Sequence, residues 1–169
     1  MDAEATLDHI EIPLRGNASK GLKTLIDCVD SDLVSAGWYG NGTRNGKSRY
    51  AYRLLVNRRV PLHRIILARM LGRELAGDEQ VDHINGNGLD NRRSNLRLAN
   101  HSENTWNRAI SRNNTSRFKG VDWHNGKWRA RIGVGGKRQF LGHFETPEEA
   151  YAVYCDSANR LHGEFARTS

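Results

Sequence analysis

An aspartate and a histidine stand side by side at Asp82–His83. A tight polar stretch follows, Ile84–Asn85–Gly86–Asn87 and then Leu89–Asp90–Asn91–Arg92–Arg93–Ser94–Asn95–Leu96–Arg97, with Glu103–Asn104 beyond it. Hydrolysing a phosphodiester needs an activated water, charge neutralisation on the non-bridging oxygens, and help for the departing oxyanion. An imidazole near neutral pKa can do the first, and a divalent ion can do the other two. Adjacent side chains on a strand diverge, so His83 can face a water while Asp82 faces an ion. Asp82 offers a hard oxygen and Asn104 another, leaving most of the coordination sphere to water and phosphate, as magnesium prefers. On spacing alone the plainer reading, a hydrogen-bonded surface histidine beside a turn aspartate, stays open.

The flanking sequence supplies elements that could hold this site. Residues 79–84 and 95–99 read as strands around a loop rich in Asn, Gly and Asp, residues that close turns with their own side chains. Asn100 and Glu103 form a capping box for a helix to about Ile110, with Asn104 in its first turns. Upstream, Pro61 and Gly72 bracket a helical pattern from Leu62 to Leu71, where His63 reads as a packed residue rather than a ligand. Residues 9–14 and 22–26 read as paired strands, Asp30–Ser31–Asp32 as caps of a short helix through Ala36, Gly40–Gly46 as a polar loop, and Tyr50–Val56 as a strand.

With 169 residues, 37% of them hydrophobic, and a mean hydropathy of -0.71, the chain suits small modules around modest cores. No apolar run approaches the roughly 18 residues of a membrane span. Asp2, Glu4 and Asp8 replace the basic-then-apolar pattern of a signal peptide, so the expectation is a cytoplasmic protein. Cys28 and Cys155 lie far apart, which excludes a zinc site built on cysteine pairs and leaves both as buried small hydrophobes. Net charge is +7, and residues 112–138 hold eight basic residues against one acid, Asp122. A field concentrated in this way, interleaved with aromatics, fits a phosphate-backbone partner.

Leu62–His63–Arg64, Val81–Asp82–His83–Ile84–Asn85–Gly86–Asn87, Leu89 through Arg97 and Glu103–Asn104–Thr105–Trp106–Asn107 resemble the HNH homing endonucleases of bacteriophages and their introns. The resemblance implies a ββα-metal fold. It makes His83 the general base, Asp82 the first metal ligand and Asn104 the second. Asn95 becomes the residue that braces the loop and orients the histidine. Asparagine in place of the histidine found in many relatives suits Mg2+, with Mn2+ possible; His101 is the alternative ligand.

Further on, Lys127–Trp128–Arg129–Ala130–Arg131–Ile132 alternates as a strand, Gly133, Gly135 and Gly136 mark a turn, and Thr146–Pro147–Glu148–Glu149 opens a helix. Ala150, Val153, Tyr154, Ala158 and Leu161 form the stripe expected to meet the sheet. With Phe118–Lys119–Gly120–Val121 and Phe140–Leu141–Gly142–His143–Phe144, this region resembles the plant ethylene-response-factor (APETALA-type) DNA-binding domain, similar copies of which occur in phage HNH endonucleases. The resemblance implies a sheet entering the major groove, with Lys119, Lys127, Arg138 and Phe140 at contact positions. Arg129 and Arg131 share the cationic strand. Asp122 stands where the plant proteins have an arginine and Arg131 where they have a glutamate, so their target site does not carry over. Trp123 and Trp128 are expected in the core.

The expected organisation is α+β: residues 1–60 as a support region, 61–111 as the nuclease core, 112–115 as a linker, and 116–169 as the DNA-binding module. The expected function is a metal-dependent, site-specific nuclease that nicks double-stranded DNA as a monomer, with no membrane association and no obligate protein partner. Two other classes stand beside it: a catalytically inactive DNA-binding or regulatory protein, and an RNA-binding structural protein.

Overall fold

A computed structural model describes residues 8–42, 48–56, 58–111 and 113–168. The architecture is mixed α+β, with sheets of two or three strands and short helices. It divides into two compact units, Met1–Leu98 and Ala99–Ser169.

In the first unit β1 (His9–Pro13) pairs antiparallel with β2 (Lys23–Asp27), His9 opposite Asp27. A 3-10 run, Cys28–Ala36, follows in place of the expected capped helix. Asp30 and Asp32 there pair with arginines. Asp30 is fully buried and meets Arg69 at 3.0 Å and Arg93 at 2.9 Å, while Asp32 meets Arg69 at 2.7 Å. Cys28 is exposed, contrary to the expected burial.

β3 (Tyr39–Gly42), β4 (Ser48–Leu55) and β5 (Arg58–Pro61) form a sheet in that order. The expected loop at Gly40–Gly46 is thus strand at its start, and residues 43–47 lie outside the described residues. Sequence reading missed β5 because its four residues, Arg-Arg-Val-Pro, show no apolar alternation; β4 ends where Val56 turns at φ 43°. α1 (Leu62–Leu71) runs as expected, and Gly72 ends it in the left-handed region. Leu62, Ile66 and Leu67 are its buried face, joining Ile12, Ile26, Leu33 and Trp38 in one core. Full burial of each such aliphatic side chain is worth about 1.5–3 kcal/mol. β6 (Gln80–His83) and β7 (Leu96–Ala99) complete a two-stranded sheet.

In the second unit α2 (His101–Trp106) has the expected capping box of Asn100 and Glu103, but it ends well before Ile110. Its Thr105 hydroxyl donates to the His101 carbonyl, and the Lys119 amine takes the carbonyls of Trp106 and Arg108 in place of further helical turns. β8 (Val121–His124), β9 (Lys127–Val134) and β10 (Lys137–Phe144) form an antiparallel sheet ordered β10-β9-β8, against which α3 (Pro147–His162) packs. Gly135 and Gly136, at φ 56° and 74°, close the β9–β10 hairpin. Gly120 is required sterically, because a Cβ there would stand 2.2 Å from the Tyr154 ring.

The buried stripe of α3 is rotated from the expected one. Ala150, Tyr154, Ser157, Ala158 and His162 are inside and Leu161 is outside. His162 earns the inner place by stacking on Trp106 at 4.1 Å and bonding to the Gly133 carbonyl at 2.8 Å. Trp128 is half-buried in the core, but Trp123 is 54% exposed, not a core residue. Among the described residues no helix is long and apolar enough to cross a membrane.

Burial alone would push the Asp30 carboxyl up, but the Arg93 and Arg69 guanidiniums outweigh it and hold its pKa below the ordinary value. Asp30→Ala is therefore expected to cost about 1–3 kcal/mol, because Arg93 loses its Asp30 acceptor while the part-exposed Arg69 keeps Asp32. A depressed carboxyl contributes stability that is complete above its unfolded-state value and lost as pH falls through the folded-state one. Asp30→Asn should accordingly flatten the acid limb of the stability curve measured by urea unfolding, and an unchanged limb would exclude this role.

Candidate active site and nucleic-acid face

β6 carries Asp82 and His83 into the interior, at 3% and 5% exposure. Their side chains part as alternation requires. The Asp82 Oδ2 accepts from Arg97 Nε at 2.8 Å and lies 2.7 Å from Arg97 Nη2, which fixes the carboxylate's orientation. His83 Nε2 lies 3.2 Å from Asn91 Oδ1.

That last contact decides the tautomer. The Thr24 hydroxyl donates to the Leu89 carbonyl at 2.8 Å, so its oxygen accepts from Asn91 Nδ2 at 2.7 Å. Asn91 therefore turns its Oδ1 toward the histidine, and His83 Nε2 must carry the proton. The basic lone pair is on Nδ1. Burial is the main influence on His83 and lowers its pKa below the ordinary histidine value, against smaller upward effects from Asn91, Asp82 and Asp90.

The loop is closed by its own polar side chains. Asn95 Oδ1 accepts from the Asn85 amide at 2.9 Å, and its Nδ2 donates to the Asp90 carbonyl at 2.7 Å. Asn85 Nδ2 donates to Asp90 Oδ2 at 2.8 Å, and Arg92 clasps the same carboxylate at 2.7 Å. Asn95 thus braces the loop, while the side chain meeting the His83 ring is Asn91, which sequence reasoning did not single out.

His63 was also missed as a neighbour. From the first turn of α1 its ring stands edge-on to His83 at 5.3 Å, and Tyr50 meets both rings, at 5.2 Å and 5.7 Å. Its Nδ1 is buried without a hydrogen-bond partner. Burial first, then the His83 and Arg64 charges, push its pKa down to about 3, so it remains neutral. No local signal in the helix could have shown this, because the approach is tertiary.

Among the described residues no group of three or more His, Cys, Asp and Glu side chains gathers as a metal ligand set. Asp82 offers one buried hard-oxygen donor, held by Arg97, which is the donor type a hard divalent ion that keeps most of its water takes. Asn104, the other expected ligand, and His101 both lie on α2 in the second unit.

A family model described as HNH endonuclease matches residues 60–106. Protein 3.8 of Escherichia phage T7 is 37% identical over 89 residues, covering 52% of this chain and 73% of the phage protein. The chain belongs to the HNH endonuclease family. An uncharacterized HNH endonuclease of Acanthamoeba polyphaga mimivirus is 34% identical over 122 residues, or 72% of this chain and 63% of the viral protein. An ethylene-responsive transcription factor of Arabidopsis thaliana is 43% identical over 58 residues, which is 32% of this chain and 14% of the plant protein.

Outside the HNH module, the β8-β9-β10 sheet has one face on α3 and one carrying charge. On the charged face Asp122 lies opposite Arg129, His143 opposite Arg129, and Phe140 opposite Arg131. Asp122 accepts from Arg129 at 2.6 Å and from Arg131 at 3.0 Å. Burial would raise the Asp122 pKa, but the two guanidiniums prevail and lower it. Lys127 pairs with Glu145 at 2.8 Å, whereas Arg138 and Phe140 are exposed. Lys119 is turned inward onto the Trp106 and Arg108 carbonyls, and burial with nearby Arg167 brings its pKa to about 8.

Asn91→Ala removes both the acceptor of His83 Nε2–H and the donor to Thr24. It is expected to cost about 1–3 kcal/mol of stability and to slow cleavage roughly 10–100-fold through a loosened base. Denaturant melts and single-turnover cleavage measure the two effects. Asn91→Asp, which keeps an acceptor for His83 Nε2–H but adds a negative charge, should lose less rate than Asn91→Ala without restoring it, and equal losses in both variants would remove Asn91 from the site.

Proposed function

We propose that the protein is a metal-dependent endonuclease that hydrolyses phosphodiester bonds in double-stranded DNA at specific sites, nicking one strand as a homing-type enzyme. The observation that carries this is the buried Asp82–His83 pair with the histidine held in one tautomer by Asn91 and Thr24. A general base needs an oriented, unprotonated lone pair, and burial beside neutral His63 favours that form.

His83 acts as the base, taking a proton from the attacking water at Nδ1. Asp82 and, by the family resemblance, Asn104 hold the divalent ion, Mg2+ or Mn2+. When bound, it neutralises charge on the phosphate oxygens. Arg97 keeps the Asp82 carboxylate oriented. Asn95 keeps the loop closed under the site.

The charged face of the second unit is the DNA-reading surface in this proposal, as in the ethylene-response-factor domains it resembles. Arg129 and Arg131 present forks fixed by Asp122, and Lys127, Arg138 and Phe140 add phosphate and base contacts. Lys119, held at the end of α2 by the Trp106 and Arg108 carbonyls, is a further DNA contact of this surface in the proposal. One base and one ligand pair per chain favour a monomer that nicks.

His83→Ala should lose roughly 10²–10⁴-fold in single-turnover cleavage with DNA affinity retained. Asp82→Ala should be inactive, with magnesium binding greatly weakened. The base works unprotonated, and burial lowers its pKa. The rate should therefore climb with pH through a midpoint below the ordinary histidine value of 6.5, then level off. A near-normal rate in His83→Ala would overturn the mechanism. Two-to-one complexes making staggered double-strand cuts would overturn the monomeric nickase.

Arg131→Ala should relax base preference at a defined position of the site, at a cost of about 1–3 kcal/mol. Arg138→Ala should weaken all sequences alike. Selection from a randomised duplex pool distinguishes the two, and identical profiles would refute the assignment.

A further inference from the structure

The β4–β5 hairpin has features that the nuclease site does not use. Leu54, Leu55 and Val56 follow one another at its tip, 58%, 44% and 97% exposed. Val56 adopts φ 43°, a conformation costly for a β-branched residue. Surface turns ordinarily place Gly, Asn or Asp there. Strain and apolar exposure thus coincide at one point.

Cations flank this tip. Leu54 lies opposite Arg59 and Leu55 opposite Arg58, with Arg53 one step further along β4. Among the described residues none of the three arginines makes an ion pair. Two are held by aromatic faces instead, Arg59 4.9 Å above Tyr52 and Arg53 5.7 Å above Trp38. Between the hairpin and α1 lies a cleft of about 1080 Å3, lined by Arg53, Leu55, Arg58, Val60, Arg64 and Ala68. Its cations outnumber its acids, so its charge complements a polyanion.

We infer that the β4–β5 hairpin is a wedge for duplex nucleic acid, in which Leu55 and Val56 enter between base steps while Arg58 and Arg59 hold the adjoining phosphates. Apolar side chains flanked by cations unstack and bend DNA in this way, and the bend brings more backbone against the protein. The inference rests on the reading of the protein as a DNA enzyme. A second copy of the chain is a poor occupant, because the same arginines would face each other. An anionic bilayer matches the charge, but three apolar side chains give it little to bury.

The test uses the full chain and a short duplex with 2-aminopurine placed at successive positions. Binding should raise the fluorescence at one step. Leu55→Ser with Val56→Gly should abolish that rise and leave the salt dependence of affinity unchanged; glycine suits the backbone at position 56, so folding is preserved. Arg58→Ala with Arg59→Ala should lower the slope of log affinity against log salt by about 2. The corresponding double change to lysine should keep it.

Binding and cleavage without any fluorescence rise would sink the wedge alone. A rise that survives in the tip variant, or an unaltered slope in the alanine variant, would do the same. Failure of the unmodified protein to bind duplex would sink both the wedge and the nuclease reading. Tighter binding to phosphatidylserine vesicles than to duplex, lost in the tip variant, would reassign the hairpin to membranes.

Discussion

The segment between Asp82–His83 and β7 has only Ile84 and Leu89 as sizeable apolar side chains before Leu96, so hydrophobic burial cannot hold it in place. β2 does so instead. The Leu25 amide donates to the Leu89 carbonyl at 2.8 Å, the Asn91 amide donates to the Leu25 carbonyl at 2.9 Å, and the Arg93 amide donates to Asp27 at 2.7 Å. Thr24 closes the set through the Asn91 side chain. Thr24 and Ile26 lie on the same buried face of β2. The register that drives Ile26 into the core is therefore the register that sets Thr24 under Asn91. A slip of one residue would turn Ile26 outward and release the histidine's orienting group together. Core packing and the orientation of the His83 ring are one constraint here.

The arginines divide by what holds them. Arg69 and Arg93 are spent on Asp30, Arg92 on Asp90, Arg97 on Asp82, and Arg129 and Arg131 on Asp122. Such pairs position backbone and loops, and where a carboxylate is buried its desolvation offsets much of the attraction. The net charge of +7 still sets the long-range field that draws a polyanion. Among the described residues Arg58, Arg59 and Arg138 have no acid partner, whereas Arg129 and Arg131 are forks fixed in one orientation by Asp122. A census of basic residues along the sequence could locate the field but not this division of labour.

What was legible in the sequence was local. The bounds of α1, the capping boxes of α2 and α3 and the alternation of β9 follow from residues within a few positions of one another. The adjacency of Asp82 and His83 and the position of Asn95 in the loop were legible as a pattern, whereas the contact to the His83 ring falls to Asn91 rather than Asn95. What was hidden depends on tertiary approach. His63 looked like an ordinary first-turn residue until α1 met β6. Asn91 looked like one more turn asparagine until Thr24 fixed its amide. β5 escaped notice because its residues show no apolar alternation. His162 displaced Leu161 from the buried stripe of α3 because Trp106 offered it a stacking face. The Asn125–Gly126 turn, with φ 51° and 81°, was a readable hairpin signal between β8 and β9 that charge counting passed over.

The choice of an amide at Asn91 has a physical consequence. A carboxylate in contact with the imidazole would fix the same tautomer and would also stabilise the imidazolium that forms when the base takes a proton. It would add a negative charge beside the path of an anionic substrate. Asn91 fixes the tautomer without that charge. The acids near His83 are already engaged, Asp82 by Arg97 and Asp90 by Arg92. Neutral His63 and the Tyr50 ring also meet the imidazole. The histidine thus sits among neutral or compensated groups, an arrangement that favours its unprotonated form while adding little repulsion toward a phosphate. In the proposed mechanism, a less stabilised imidazolium is the counterpart of that lower repulsion.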